Sequence, residues 1–136
     1  MKLHKVTKVI DFCYGHRLLK YDGKCKNLHG HNGVLEIDIS SNKLDDRGMV
    51  MDFGDIKGIV KSWIDENLDH KMILSVDDPM VEALQSYNEP LYIMDVNPTA
   101  ENIVKYIYEI ILTLGITPLE LRLWETPSSY AAYSEG

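Results

Sequence analysis

The segment from position 29 to 40 most narrows what this chain can fold into. Its alternate positions carry the apolar side chains Leu35, Ile37 and Ile39. This period of two predicts a half-buried β-strand. His29 and His31 continue the same alternation, so both imidazoles are expected on the core-directed face, about 7 Å apart along the strand. Two imidazoles at that spacing can converge on a single ion.

Two further patterns predict helices. Apolar residues at helical spacing follow Asp55 as far as Leu68, and a second such stripe follows Thr99. Thr99 is expected to cap the second helix, and Gly115 is expected to end it. The segment from 78 to 90 shows no clear period, and its pattern allows a short helix inside a loop.

The remaining alternating segments predict the strands of an α+β fold. They are 6–12 near the start, 49–53 as a continuation of the sheet, 91–95 as a short strand, and 119–125 near the end. The main elements run strand, strand, helix, helix, strand, strand, with hairpin-like pairs at the ends. This order predicts a four-stranded antiparallel sheet covered by two helices on one face. Such a sheet has uncovered edges, which favours a homo-oligomer.

Length and charge limit the class of protein. The 136 residues fit one domain, 1–136, and no apolar run is long enough for a membrane span. A cytoplasmic protein is the expectation, and a net charge of −7 argues against nucleic acid as a partner. The segment between His16 and His31, however, contains four basic residues and only one acidic residue. That local charge would suit an anionic small molecule, although a solvated lysine loop explains it as well.

The histidine pair needs a third ligand to form a catalytic zinc site, which typically has three protein ligands and one open position. The candidates are His4, His16 and His70. His16 is favoured because it ends the first predicted strand beside the basic cluster. His4 lies near the terminus and is expected to be exposed.

Cys25 has two interpretations. It could be a fourth zinc ligand, which would close the site into a structural one. It could instead lie outside the metal shell, where a cation and lysines would favour its thiolate as a base or nucleophile. Asp69 and His70 form a possible proton-transfer pair, but adjacent side chains face each other only if the helix has ended before them. Glu125 falls on the leucine face of the last strand, where a carboxylate must be paired or functional.

Six short motifs in this order resemble the family of 6-pyruvoyl- and 6-carboxy-tetrahydropterin synthases, which has the T-fold. The motifs are Phe12-Cys-Tyr-Gly-His16-Arg17, Cys25-x-x-x-His29-Gly-His31-Asn32, Gly48-Met-Val-Met-Asp52-Phe53, Leu68-Asp69-His70, Pro98-Thr99-Ala-Glu101-Asn102 and Trp124-Glu125-Thr126. The resemblance covers nearly the whole chain. It implies multimeric barrels, such as a hexamer or tetramer, with active sites at subunit interfaces.

The resemblance also implies roles for individual residues. His16, His29 and His31 would hold Zn²⁺, and Cys25 would be the catalytic thiolate base with Asp69 and His70 as its proton partners. Glu125 would anchor a pterin through its paired N–H donors. Thr99 would line the pocket, and Arg17, with Lys20, Lys24 or Lys26, would take a triphosphate.

The implied reaction converts 7,8-dihydroneopterin triphosphate to 6-carboxy-5,6,7,8-tetrahydropterin, acetaldehyde and triphosphate, as in queuosine and deazapurine biosynthesis. The segment that starts at Trp124 resembles these enzymes more than the pyruvoyl-forming ones, which remain the alternative. A non-catalytic zinc- or pterin-binding protein is a third reading. Relatives usually have small residues where Tyr14 and Gly15 stand, so the wall beside the metal is expected to differ in shape.

Overall fold

The computed structural model describes residues 2–136. It contains six strands: β1 His4–His16, β2 His29–Ser41, β3 Lys71–Ser75, β4 Leu91–Met94, β5 Glu120–Thr126 and β6 Ser129–Tyr133. Three α-helices lie between them: α1 Phe53–Asn67, α2 Met80–Ser86 and α3 Ala100–Thr113. A short 3-10 helix, Lys24–Lys26, interrupts the loop between β1 and β2. The α+β class is therefore confirmed.

The strands form one mixed sheet in the order β4-β3-β1-β2-β5-β6. The long β1–β2 hairpin and the β5–β6 pair are antiparallel, whereas β3 is parallel to both β1 and β4. The prediction of a four-stranded, purely antiparallel sheet with two helices was wrong in these details. The sheet has two more strands, and a third helix, α2, lies in the segment where a short one was thought possible.

The prediction that 49–53 continues the sheet was also wrong. That segment is a turn that leads into α1, and the helix begins at Phe53 because the Asp52 side chain accepts a hydrogen bond from the Gly54 N–H. The second helix begins as predicted, with the Thr99 hydroxyl accepting from the Asn102 N–H. Gly115 follows its end with a φ of +93°, a conformation that favours glycine.

Helices α1 and α3 cover one face of the sheet, called here the inner face. Ile56, Val60 and Ile64 of α1 join Ile103, Val104, Ile107 and Ile111 of α3 in a single core with Leu35, Ile37, Leu121 and Leu123 of the sheet. The opposite, outer face is polar: Arg122 pairs with Glu36, Asp38 and Glu120. No helix in the described part of the chain is long and apolar enough to cross a bilayer.

Candidate active site

The end of β1 and the start of β2 bring three histidines together on the inner face. The hairpin register places His16 opposite His29 and Tyr14 opposite His31. Antiparallel partners share a face of the sheet, and so do residues two apart on one strand. As a result, one potential ligand atom from each of His16, His29 and His31 lies within 4.8 Å of the other two.

Backbone carbonyls fix the orientation of two of these rings. The Nδ1 of His16 lies 2.8 Å from the Pro98 oxygen, and the Nδ1 of His29 lies 2.8 Å from the Asn27 oxygen. A carbonyl oxygen can only accept, so each Nδ1 donates its proton and each Nε2 keeps its lone pair. This is the arrangement that metal-binding histidines commonly show.

The electrostatics keep the buried histidine neutral. Burial, helped by the charges of His29 and His31 and opposed by the Pro98 contact, lowers the pKa of His16 to about 4. The Nε2 of His29 is buried without a hydrogen-bond partner among the described residues. Three imidazole side chains that meet at one point, two of them with Nδ1 held by a carbonyl and Nε2 left available, suit Zn²⁺ in both number and kind. The residues present therefore fit the metal.

Glu125 reaches the same point from β5. Its Oε2 lies 3.4 Å from the Nε2 of His31, and its Oε1 lies 4.0 Å from the Nε2 of His16. Glu125 also lines a cavity of about 300 Å³ with Ala100, Glu101 and Tyr130. The carboxylate on the leucine face therefore borders both the histidines and a space with room for a small ligand.

The turn before α3 contacts the histidines through its backbone. Pro98 supplies the carbonyl that holds His16, and the next residue, Thr99, caps α3. The Thr99 hydroxyl is used in that cap. Sequence reasoning selected Thr99 but missed Pro98, because a carbonyl contact leaves no trace in the residue type.

Cys25 lies in the 3-10 helix, half-buried, and does not belong to the three-histidine group. Its loop is tied to the rest of the fold: the Cys25 oxygen accepts from the Leu18 N–H at 2.8 Å. Leu19 exchanges two hydrogen bonds with the Asn97 side chain, at 2.9 and 3.0 Å. The loop that carries the thiol is thus held against the same turn that orients His16.

Arg17 is engaged by a residue that sequence reasoning missed. Its Nε lies 2.7 Å from the Oδ2 of Asp78, whose side chain is fully buried. The hydrogen bonds to Asp78 raise the pKa of Arg17. Despite burial, the pair keeps the pKa of the Asp78 carboxyl below its usual value. The guanidinium therefore connects the end of β1 to the start of α2.

Asp69 and His70 form the predicted pair. The helix ends at Asn67, and His70 has a φ of +60°, so the two adjacent side chains can meet: the Nδ1 of His70 lies 2.8 Å from the Oδ2 of Asp69. The Oδ1 of Asp69 accepts from the Cys13 N–H at 2.9 Å. Burial by itself would raise the pKa of Asp69, but the hydrogen bonds with Cys13 and His70 hold that pKa below its usual value.

His70 does not contact the three-histidine group and lies at a cavity on the outer face of the sheet. His70 borders a cavity of about 500 Å³ with Cys13, Asn32 and Met72, which project from the outer face, and the cavity extends to the strand at His29 and His31. The methyl group of Met72 fills the space beside Gly15 on that face, where an added Cβ would lie 2.6 Å from it. The exposed His70 ring thus lies on the other side of the sheet from Glu125.

Comparisons with known proteins agree with this site and fold. The family model described as 6-pyruvoyl tetrahydropterin synthase matches residues 5–136. The chain therefore belongs to this family of tetrahydropterin synthases and is an enzyme.

Named relatives indicate which type of tetrahydropterin synthase this chain resembles. A Rickettsia conorii protein named 6-carboxy-5,6,7,8-tetrahydropterin synthase is 42% identical over 133 residues, covering 93% of this chain and 96% of that protein. A Haemophilus influenzae protein of the same name is 34% identical over 143 residues, covering 98% and 100%. The chain is thus similar to enzymes that carry the carboxy-type name.

Solved structures confirm the predicted T-fold. An uncharacterized protein from Wolinella succinogenes has a TM-score of 0.84 and 26% identity, with 100% of each chain covered. The 6-pyruvoyl tetrahydropterin synthase of Caenorhabditis elegans has a TM-score of 0.73 and 24% identity, covering 100% of this chain and 98% of that one. The second likeness concerns the fold alone.

Proposed function

We propose that this chain is a zinc-dependent lyase that converts 7,8-dihydroneopterin triphosphate to 6-carboxy-5,6,7,8-tetrahydropterin, acetaldehyde and triphosphate, a step of queuosine and 7-deazapurine synthesis. The observation that carries the proposal is the meeting of three inward-facing histidines with one carboxylate, Glu125, beside a cavity. The names of the relatives support the carboxy-type product. A cytoplasmic location remains a prediction.

The metal site would consist of His16, His29 and His31. Zn²⁺ held there would supply Lewis acidity to the hydroxylated side chain of the pterin and so make the neighbouring C–H protons easier to remove. The chain supports this by presenting the Nε2 atoms of His16 and His29 with free lone pairs. Their Nδ1 atoms carry the protons and donate hydrogen bonds to the Pro98 and Asn27 carbonyls.

Glu125 would hold the pterin ring. Its two oxygens can accept from the paired N–H donors of the amino-pyrimidinone edge, an interaction that is both charge-assisted and planar. Its position at the mouth of the cavity with Ala100 and Tyr130 leaves room for that ring. Thr99 stays a predicted pocket residue that acts through the start of α3.

Cys25 would be the base that takes the C–H proton. Its place outside the histidine group supports a catalytic role over a fourth metal ligand. Lys24 and Lys26 flank it in the chain. These lysines and Lys20 are the first candidates for the triphosphate; Arg17 stays a predicted contact, but its guanidinium already pairs with Asp78.

The Asp69–His70 pair would complete the site of a neighbouring subunit in a homo-oligomer, either a hexamer or a tetramer. His70 borders the outer-face cavity and pairs with Asp69, whereas Glu125 and the Pro98 carbonyl approach the histidines from the inner face. A second copy packed against the exposed sheet edge could present its pair to this chain's Cys25. One active site would then draw residues from two chains.

Product analysis tests the proposed function. Zinc-loaded protein is incubated with 7,8-dihydroneopterin triphosphate and the products are identified by mass spectrometry. We expect 6-carboxy-tetrahydropterin with one acetaldehyde per turnover. Retention of the side-chain carbons in 6-pyruvoyl-tetrahydropterin would move the assignment to the pyruvoyl-forming alternative. Failure to turn over this substrate in the presence of bound zinc would overturn the enzymatic proposal in favour of a non-catalytic zinc- or pterin-binding protein.

A further inference from the structure

Tyr14 is a polar residue of the site for which the proposed reaction has assigned no role. Its side chain is 2% exposed and lies on the inner face of β1, two residues before His16. The ring stands edge-on to His16, with centroids 5.3 Å apart, and its centroid is 5.6 Å from that of His31. Tyr14 therefore forms part of the wall around the three histidines.

The hydroxyl of Tyr14 is buried and has no hydrogen-bond partner within residues 2–136. Among the described residues, only one other buried side-chain polar atom shares this condition, the Nε2 of His29, which faces the metal position. Leaving a buried hydroxyl unpaired is costly, so such a group in a well-packed site indicates a partner in the working state. Both orphaned atoms belong to the same site.

Glu125 is the acceptor that the surroundings offer. The two residues border the same histidine: the ring centroid of Tyr14 lies 5.6 Å from that of His31, whose Nε2 also contacts the Glu125 carboxylate. A phenol donates, and an ionised carboxylate only accepts, so the two groups are complementary. In the present arrangement Glu125 leans toward the histidines instead, 3.4 Å from His31. The Nε2 atoms of His16 and His29 carry lone pairs and offer the carboxylate no proton, so the Tyr14 hydroxyl is the donor available on this wall of the site.

The ring of Tyr14 is held in place by its packing. It stacks on Phe12 at a centroid distance of 5.3 Å and an angle of 29°. On the neighbouring strand Gly33 makes room for it, because a Cβ there would lie 2.9 Å from the Cε1 of Tyr14. The absence of a side chain at position 33 therefore allows Tyr14 to occupy this position.

We infer that Tyr14 is a positioning residue whose hydroxyl donates a hydrogen bond to Glu125 and fixes the orientation in which that carboxylate receives the N–H edge of a pterin. This inference rests on the proposed function, since it deepens the role given there to Glu125. Tyr14 acts through Glu125 and leaves the metal ligands unchanged. Removal of the hydroxyl should therefore weaken pterin binding without loss of zinc.

The test compares Tyr14→Phe with the wild-type protein and with Tyr108→Phe. Tyr108 is the matched control because its buried hydroxyl already donates to the Pro118 carbonyl at 2.9 Å, away from the histidines. For Tyr14→Phe we expect the Kd for neopterin, followed by pterin fluorescence, and the KM to rise about tenfold, the scale of one hydrogen bond to a charged group. The kcat should change by less than about twofold, and the zinc content and Tm should not fall. Tyr108→Phe should lower the Tm and leave the Kd and KM unchanged.

A second pair of variants guards against a trivial loss of folding. In a Glu125→Ala background, which removes the acceptor, Tyr14→Phe should add little to the loss of neopterin affinity, because the two residues act as one unit. Gly33→Ala keeps the hydroxyl but displaces the ring, so it should also raise the KM. Equal Kd and KM in wild type and Tyr14→Phe, or additive effects with Glu125→Ala, would overturn the inference and leave the proposed function standing. A wild-type protein that neither binds neopterin nor turns over the pterin triphosphate would overturn both.

Discussion

The Nε2 atoms of His16 and His31 lie 3.2 Å apart, although the two residues are 15 positions apart in the chain. The His16 ring is buried and the His31 ring is half-buried, and both Nε2 atoms lie within 4.0 Å of the Glu125 carboxylate. Two basic nitrogens placed this closely gain most from a shared cation. The hairpin register, which sets Tyr14 opposite His31 and His16 opposite His29, produces this contact.

The first prediction concerns metal content. Replacing His29 with Ala removes one of the three nitrogens, and we expect zinc affinity to fall by more than about 100-fold, since even residues that only orient a ligand are worth about 10- to 100-fold. Metal analysis of dialysed protein measures this. His4→Ala, at the exposed start of β1, is the control and should retain zinc fully. Equal zinc in both variants would contradict the assignment of the site.

The second prediction concerns the cap of α3. Thr99→Ala should lower the free energy of unfolding by about 1 kcal/mol, because the Asn102 N–H loses its acceptor. It should also weaken zinc binding, since the adjacent Pro98 carbonyl orients His16. Thr99→Ser should restore both in denaturant and metal titrations. A raised KM with unchanged stability would instead indicate that Thr99 contacts the substrate directly.

The third prediction concerns the buried Arg17–Asp78 ion pair. Asp78→Asn should cost about 1.5–3 kcal/mol at neutral pH, the value of a hydrogen bond to a charged group. The folded pKa of Asp78 is lowered, so the stabilisation is present above the unfolded pKa of about 3.9 and is lost as the pH falls through the lower folded value. The difference between the two proteins should therefore shrink below about pH 4.

Urea unfolding of the metal-free proteins across this pH range measures that difference. Asp65→Asn is the control, because its partner Lys61 is an exposed neighbour on one helix, and the variant should match wild type. A difference between wild type and Asp78→Asn that does not depend on pH would show that the carboxylate charge is not what stabilises the fold.

The fourth prediction concerns the sharing of sites between subunits. Cys25→Ala and His70→Ala should each be nearly inactive alone. If one chain supplies Cys25 and its neighbour supplies His70, random mixed oligomers regain intact sites, up to about a quarter of wild-type activity at equal amounts. Denaturing, mixing and refolding the two variants tests this. Mixtures that stay as inactive as their parents would place both residues in one subunit.

Period-two and helical spacing were sufficient to predict β1, β2, β5 and the two long helices, because each has one face in the core. Strand β3 was missed for the opposite reason. It is parallel to both neighbours, and its residues 73–75 are all buried, so it shows no alternation. The turn at 49–51 contains enough apolar residues to resemble a strand, and only the Asp52 cap reveals that a helix follows.

The histidine group could be predicted because all three ligands have a residue type suited to metal and two lie in one short motif. The sequence did not reveal the contributions of Asp78 and Pro98, or the role inferred for Tyr14. The first two act through an ion pair and a carbonyl that join segments more than 60 positions apart. Tyr14 offered one usable indication: it precedes His16 by two positions, which places a polar aromatic group on the same inward face.

In the proposed site, three histidines hold the metal, while Cys25 acts as a base outside the metal's ligand set. Zinc content and the rate of acetaldehyde release, measured on the same preparations of wild type, Cys25→Ala and Cys13→Ala, test this most directly. We expect full zinc in all three and wild-type turnover for Cys13→Ala. For Cys25→Ala we expect turnover to fall by about 10²- to 10⁴-fold, the usual contribution of a general base. If Cys25→Ala loses zinc and stability together, the thiol is a fourth ligand of a structural site, and the claim is wrong.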